Sequence, residues 1–516
     1  MALHSKLHNS SIFWFRIGMT TIFIISFALR FWGLSRFNSL VFDEVYYAKF
    51  ANNYLTNTPF FNAHPPLSQY IIAIGIKIGS HLPFGQDTVN SLTGSVRSTW
   101  SYRWLNALTG SLIPLVVGAL AYQLNRRRSY ALIAALLAAT DGLFLVESRY
   151  ALNNIYIVIF GLLAQLFLLM ALNKPRQQRQ GIMALSGVLF GACAATKWNG
   201  LGFLLGVYLV WAAVWIMHWV RKFLEILDVA PTQKGEQEEE KKGRRGEGER
   251  GRGGDFVGVK PSQAVISQTP LQKFRELNVF HILGNFAIIP ILTYSLLWIP
   301  HLQMNPTPGF WQMQKEIFNY HQNIGSGSEV HPYCSRWYSW PLMLRTIAYF
   351  HHAPNHNSEA NSLESPVTDG VAEAIYDVHA MGNPVLWWLS TAAILLLLVV
   401  LVLRFKSSRS WKLAPTRSTL VGLYLVLNWL GNLLPWSQVS RCLFLYHYMC
   451  ASVFASLGLA WVLDWLIQNN YKEHQGVAVS LILLILIAFC FWMPIYLGLP
   501  LSVEGYQWRM WLPSWI

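Results

Sequence analysis

About eleven apolar stretches, most of them close to the roughly 20 residues a helix needs to cross a bilayer, constrain this chain more than any other feature. They fall near 12–30, 103–125, 130–147, 151–172, 181–196, 201–220, 279–300, 384–403, 418–435, 442–466 and 477–498, with 130–147 and 181–196 the shortest. Backbone polar groups in lipid must be satisfied within each segment, so an all-α polytopic membrane protein is expected. A content of 53% hydrophobic and 12% charged residues over 516 positions agrees. No cleavage site follows the first apolar stretch, which is expected to be retained as a span.

Charge sets the expected orientation. Arg126, Arg127 and Arg128 follow the second span, Lys174, Arg176 and Arg179 the fourth, and Arg404, Lys406, Arg409 and Lys412 the eighth. With the N-terminus in the cytoplasm all three clusters fall inside, as positively charged loops do. The formal charge of +14 is then mostly topology. No basic-aromatic groove or recognition motif accompanies it, so no nucleic-acid partner is expected. Leu67–Leu82 is apolar but short and interrupted by Gly75, Lys77 and Gly79; it is expected to lie at the outer surface. Glu44–Leu55 reads as a second short interfacial helix.

Three regions follow. Residues 1–220 form an N-terminal transmembrane module with a first outer loop at 31–102. Residues 221–278 form a cytoplasmic loop whose Gln233–Gly254 run of Lys, Glu, Arg and Gly is expected to be disordered. Residues 279–516 form a C-terminal module with an aromatic outer loop at 301–383, including Tyr320-His321, His331-Pro332-Tyr333 and His351-His352. Five dispersed cysteines predict no disulfide framework, and Cys334 stands alone in the outer loop.

The ionisable residues gather at the outer ends of the spans: Arg30, Asp43, Glu44, His64, Arg103, Asp141, Glu147, Arg149, Lys197, Arg441, Tyr446 and His447. Such residues are costly near lipid and mark function by default. Asp43 serves either as a general base or as the N-cap of the helix after it, and position alone does not separate the two. Glu44, about 100° away around that helix, would orient a neighbour such as an arginine. Arg30, Arg103, Arg149 and Arg441 at one depth suggest a lipid phosphate, with snorkelling to headgroups the competing explanation for each. His64, in a His-Pro-Pro turn, and Lys197, at the end of the fifth span, are further candidates for that phosphate. No His/Asp/Glu spacing resembles a metal site. A nucleotide-binding loop is also lacking, so an activated donor would arrive as a lipid-linked phosphate.

In Phe42-Asp43-Glu44-Val45, His64-Pro65-Pro66-Leu67, Arg103–Gly110, Asp141 through Ser148-Arg149-Tyr150, Lys197-Trp198-Asn199-Gly200, His331-Pro332-Tyr333, Trp337–Pro341, Gly382-Asn383-Pro384 and Arg441 with Phe444–Tyr448, the chain resembles the protein O-mannosyltransferases over nearly its whole length. The resemblance implies a GT-C type bundle and inverting transfer of mannose from polyprenyl (dolichyl-type) phosphate mannose to Ser or Thr hydroxyls of translocated proteins. It implies Asp43 as base with Glu44 as partner and a functional role for Arg30 and Arg103; together with the reading of the residues themselves, Arg30, His64, Arg103, Arg149, Lys197, Arg441, Tyr446 and His447 are expected around the lipid phosphate. A compact bacterial type in an inner membrane, active on the periplasmic face, is expected; a divalent cation and the oligomeric state stay open. Ser68-Gln69 replaces the Gly-Lys that usually follows the His-Pro-Pro-Leu motif, and Asn154 stands where an Asp is usual. Competing readings are a polyprenyl-phosphate-sugar transferase with another sugar or a lipid acceptor, as in the aminoarabinose transferases, and a lipid or solute transporter.

Overall fold

The computed structural model describes residues 2–229, 269–353, 374–406 and 415–516. The run Gln233–Gly254 lies outside the described residues. Among these residues, nine helices are long and apolar enough to cross a membrane, or ten when one bent pair counts as a single span. The eleventh expected position, 181–196, is occupied by a 21-residue helix whose first five residues are Arg, Gln, Gln, Arg and Gln. That polar start keeps it below the apolar threshold the others pass.

Helix α1 (Ala2–Phe31) leads into a segment that carries α2 (Glu44–Thr56), α3 (Leu67–Gly79) and the hairpin β1 (Val89–Leu92) and β2 (Ser95–Ser98). The two short helices occupy the positions expected for them. The bundle continues with α4 (Thr99–Asn125), α5 (Arg128–Ala139), α6 (Gly142–Arg149), α7 (Asn154–Asn173), α8 (Arg176–Thr196) and α9 (Leu201–Val229). Helix α9 runs past the boundary expected at residue 220.

A π-helical turn at Gly284–Ile288 interrupts α10 (Val279–Met304). An amphipathic helix, α11 (Phe310–Asn323), follows. The last spans are α12 (Pro384–Lys406), α13 (Arg417–Leu433), α14 (Met449–Ile467) and α15 (Lys472–Leu497).

Two departures from an all-helical chain matter for the site. The pair α5/α6 is bent by 57° where Thr140 and Asp141 join them. Asp141 caps α6 there, accepting from the N–H groups of Leu143 (2.9 Å) and Phe144 (3.2 Å) and from the Trp387 indole (2.7 Å). The loop expected at 301–383 also holds two strands of a three-stranded antiparallel sheet, β3 (Ile347–His352) paired with β4 (Ile375–Ala380), and β4 pairs in turn with β5 (Pro500–Leu501) near the end of the chain. Its register slips between Ala348 and Phe350, leaving Tyr349 unpaired in a bulge that re-aims its side chain.

Cys334 is not alone. It is disulfide-bonded to Cys442, with Cα atoms 5.1 Å apart across 108 residues of sequence. The dispersal of cysteines along the chain concealed a pairing that only the fold brings about.

Small residues let helices approach closely, as they do in lipid where burial supplies no force between apolar surfaces. On α8, Gly187 and Gly191 face the backbone of α10, where a Cβ would run into the Asn285 carbonyl and the Pro290 carbonyl respectively. Gly187→Ala is therefore expected to overpack this seam by about 1–3 kcal/mol and lower the thermal unfolding midpoint in detergent. The control Gly181→Ala, with open space around it, should leave that midpoint nearly unchanged.

Candidate functional site

Glu44 and Arg103 form the frame. Both are fully buried. Arg103 Nε donates to Glu44 Oε1 at 2.9 Å and Nη2 to Oε2 at 2.7 Å, a bidentate pair. The remaining Arg103 donors reach the carbonyls of Leu34 (3.1 Å), Phe37 (2.8 Å) and Ser39 (2.9 Å). Glu44 also accepts from the N–H of Val41 (2.9 Å) and of Ala151 (2.8 Å). Arg103 thus has no donor left for a phosphate, which corrects the expectation for it, whereas Glu44 orients an arginine as expected.

Arg149 is likewise occupied. Its Nη1 donates to Leu29 (2.8 Å), Arg30 (3.2 Å) and Trp32 (2.7 Å), and Nη2 to Gly33 (3.0 Å), closing the carbonyls at the C-terminus of α1. Arg30 is fully buried, with Nη1 on Ser26 Oγ at 2.7 Å. It packs against Gly110 and Ser148 and lines neither cavity described below. His447 accepts from the Phe444 N–H (3.1 Å) and is buried against Trp340 and Trp436. His447 and both Nη groups of Arg149 are thus held by groups of the protein itself, whereas Arg149 Nε and the Nε and Nη2 of Arg30 are buried without a partner among the described residues.

Asp43 differs from all of these. It stands at the N-cap of α2, yet its side chain makes no capping bond. Among the described residues it has no hydrogen-bond or ion-pair partner, although it is partly buried. Burial pushes its pKa up to about 6, against the opposing pull of the Lys197 ammonium. Phe42, just before it, takes a left-handed conformation (φ 51°), an uncommon one for a bulky residue. The Tyr349 ring stacks on Phe42 at 4.3 Å and 10°, and its hydroxyl donates to Glu147.

A cavity of about 720 Å³ opens beside this centre. Its polar end carries His64, Lys197, His321 and Arg441, and its apolar wall includes Leu201, Leu205, Ile317 and Phe318. Lys197 lies in the junction between α8 and α9, with its Nζ 5.1 Å from the centre of the Tyr446 ring. Burial and the nearby Arg441 bring its pKa down to about 8. His64 and His321 stack at 5.1 Å, and both are held neutral, chiefly by burial and also by the neighbouring cations.

Of the ten residues expected at the site, His64, Lys197 and Arg441 line this cavity, and Tyr446 and Asp43 lie within reach of Lys197. Glu147, Tyr349 and His321 were not among them. Glu147 was visible in the sequence as an outer-end carboxylate and was passed over. Tyr349 and His321 carried no signal apart from the aromatic richness of their loop. Asn154, standing where an Asp is usual, donates to Glu147 at 3.2 Å. Among the described residues no group of three or more His, Cys, Asp or Glu is arranged to hold a metal ion.

In this polytopic helical bundle Lys197 and Arg441 line one end of an apolar-walled cavity, with the unpaired Asp43 carboxylate within electrostatic reach of Lys197, an arrangement that suits a membrane transferase. A family profile described as "Dolichyl-phosphate-mannose-protein mannosyltransferase" matches residues 20–230, and one described as "C-terminal four TMM region of protein-O-mannosyltransferase" matches residues 306–515. Together they cover most of the chain, which belongs to the protein O-mannosyltransferase family.

Similar curated proteins include the polyprenol-phosphate-mannose–protein mannosyltransferases of Mycolicibacterium smegmatis (23% identity, 92% of this chain and 87% of that protein) and Mycobacterium tuberculosis (22% identity, 97% and 92%). The fold is that of the Saccharomyces cerevisiae protein O-mannosyltransferase Pmt1-Pmt2 complex bound to the sugar donor. A chain of that complex matches with TM-score 0.71 at 15% identity, over 97% of this chain and 92% of its own.

Two outcomes follow from the geometry. A base must be deprotonated and a phosphate-holding ammonium protonated, so kcat/KM should rise with pH through about 6 and fall through about 8. A profile flat from pH 5 to 9 would contradict these assignments. Glu44→Ala strands the Arg103 cation and should cost about 3–5 kcal/mol of stability, seen as a lower unfolding midpoint. Asp43→Asn, which breaks no bond and removes a desolvated charge, should not lower that midpoint.

Proposed function

We propose that this chain transfers mannose from a polyprenyl (dolichyl-type) phosphate mannose to Ser or Thr hydroxyls of proteins, with inversion at the sugar. The observation that carries the reading is the unpartnered Asp43 carboxylate within electrostatic reach of Lys197, which itself lines the polar end of an apolar-walled cavity. The isoprenoid chain would lie along Leu201, Leu205 and Phe318, with its phosphate among Lys197, Arg441 and the neutral imidazoles of His64 and His321. The acceptor oxygen attacks the anomeric carbon and its proton passes to Asp43. The bond from that carbon to the phosphate oxygen breaks with its electron pair, releasing polyprenyl phosphate. Lys197 and Arg441 stabilise the charge that grows on the leaving phosphate. Glu44 and Arg103 act as positioning residues that hold the 34–44 segment, and Tyr349 braces Phe42 and Glu147 beside it.

The orientation belongs to the same proposal. The N-terminus is cytoplasmic and the site faces the extracytoplasmic side of an inner, plasma-type membrane. The basic clusters at Arg126–Arg128 and after α7 and α12 support this, as does the Cys334–Cys442 disulfide beside the site, since disulfides persist in oxidising compartments.

Purified protein supplied with polyprenyl phosphate mannose and a Thr-containing peptide should yield mannosyl-peptide, and Asp43→Asn should reduce the rate by about 10²–10⁴. Product formed only with a different sugar donor, or undiminished transfer by Asp43→Asn, would contradict the proposal.

A further inference from the structure

A second cleft, of about 530 Å³, adjoins the first cavity, and Arg441 lines both. Three guanidinium groups, from Arg336, Arg345 and Arg441, stand in its wall and no carboxylate does. Among the described residues none of the three is in an ion pair. Arg345 donates to the Pro332 carbonyl through Nη2 at 2.5 Å, while its Nε is buried without a partner. Trp337 and Tyr338 add aromatic faces, and Tyr338 is 64% exposed.

The walls are tied together before any ligand arrives. The disulfide joins Cys334 to Cys442, and the Ser335 N–H donates to the Leu443 carbonyl at 2.8 Å. A cleft already held in shape loses little freedom when it is filled. It also leads to the reacting centre: Leu443 precedes Phe444, whose ring lies 6.2 Å from that of Phe42, the neighbour of Asp43. Its arginine and aromatic side chains are of the kind enriched where polypeptides are contacted. The apolar wall that suits an isoprenoid belongs to the other cavity.

We propose that this cleft seats the acceptor polypeptide and favours segments with acidic residues flanking the modified Ser or Thr. The inference rests on the reading of the chain as a transferase to protein hydroxyls. With Arg441 reaching both compartments, the leaving phosphate and the acceptor segment would be held by one side chain, placing the hydroxyl between them.

Three peptides that share a single Thr, flanked by Glu, by Gln or by Lys, separate the possibilities. They would be assayed with polyprenyl phosphate mannose and the full chain in phosphatidylcholine nanodiscs. The expected result is a KM for the Glu peptide about fivefold below that of the Gln peptide, with the Lys peptide weaker still. The gap should narrow as salt is raised, and the donor KM should be common to all three. In Arg336→Gln/Arg345→Gln, checked for folding by its thermal midpoint, the Glu-to-Lys ratio of KM values should approach one.

Equal KM values in the unmodified chain, or a gap that survives in the double variant, would overturn the proposal. So would a gap present in phosphatidylcholine and absent in phosphatidylglycerol discs, which assigns the cleft to a lipid headgroup. Failure to mannosylate any of the three peptides would instead defeat the underlying reading of donor and acceptor.

Discussion

The buried ion pair between Glu44 and Arg103 is the interaction on which the architecture of the site depends. Burying two charges is costly, and their attraction offsets the penalty only when the remaining polar atoms are also satisfied. Here five donor contacts from the guanidinium are used, and both carboxylate oxygens accept backbone N–H groups as well. The pair ties the start of α2 to α4, to the 34–39 turn and to the residues just after α6. Four parts of the chain, distant in sequence, are thereby held in one register around Asp43.

A division of labour among the charges follows. Arg103 faces carbonyl and carboxylate oxygens of the protein itself and is saturated by them, and both Nη groups of Arg149 face backbone carbonyls. Such groups fix geometry and have little to offer a ligand. Asp43 and Lys197 lack those partners, and Arg441 makes only a 3.2 Å contact to the carbonyl of the residue after it. Lys197 and Arg441 line a cavity and Asp43 lies within electrostatic reach of Lys197, so these are charges that can meet a developing one. The raised pKa of Asp43 and the lowered one of Lys197 express the same fact: each is desolvated without being fully compensated.

Much of this was legible in the order of residues. Apolar length gave most of the spans, and the basic clusters give the orientation proposed here. The shortness of the apolar run Leu67–Leu82 pointed to a helix too short to count as a span, which α3 is, and the motif series indicated the family. The adjacency of Asp43 and Glu44 suggested two roles for two carboxylates, since neighbours on a helix point in different directions. Less could be read where the answer lay in which partner a side chain meets. Arg30, Arg103, Arg149 and Arg441 look alike in sequence, all at span ends, yet of the four Arg441 alone lines either of the two cavities described. The disulfide between Cys334 and Cys442, and the bulge that turns Tyr349 towards Glu147, depend on segments 108 and 202 residues apart meeting in space.

The sequence by itself determined that the chain is a helical membrane protein with its reactive groups at one end, because lipid demands apolar segments of set length and confines charge to their ends. Tertiary structure alone decided which charges are spent on scaffold and which are left for chemistry. That choice rests on distances of about 3 Å between groups from different helices, and no local pattern of residues encodes them.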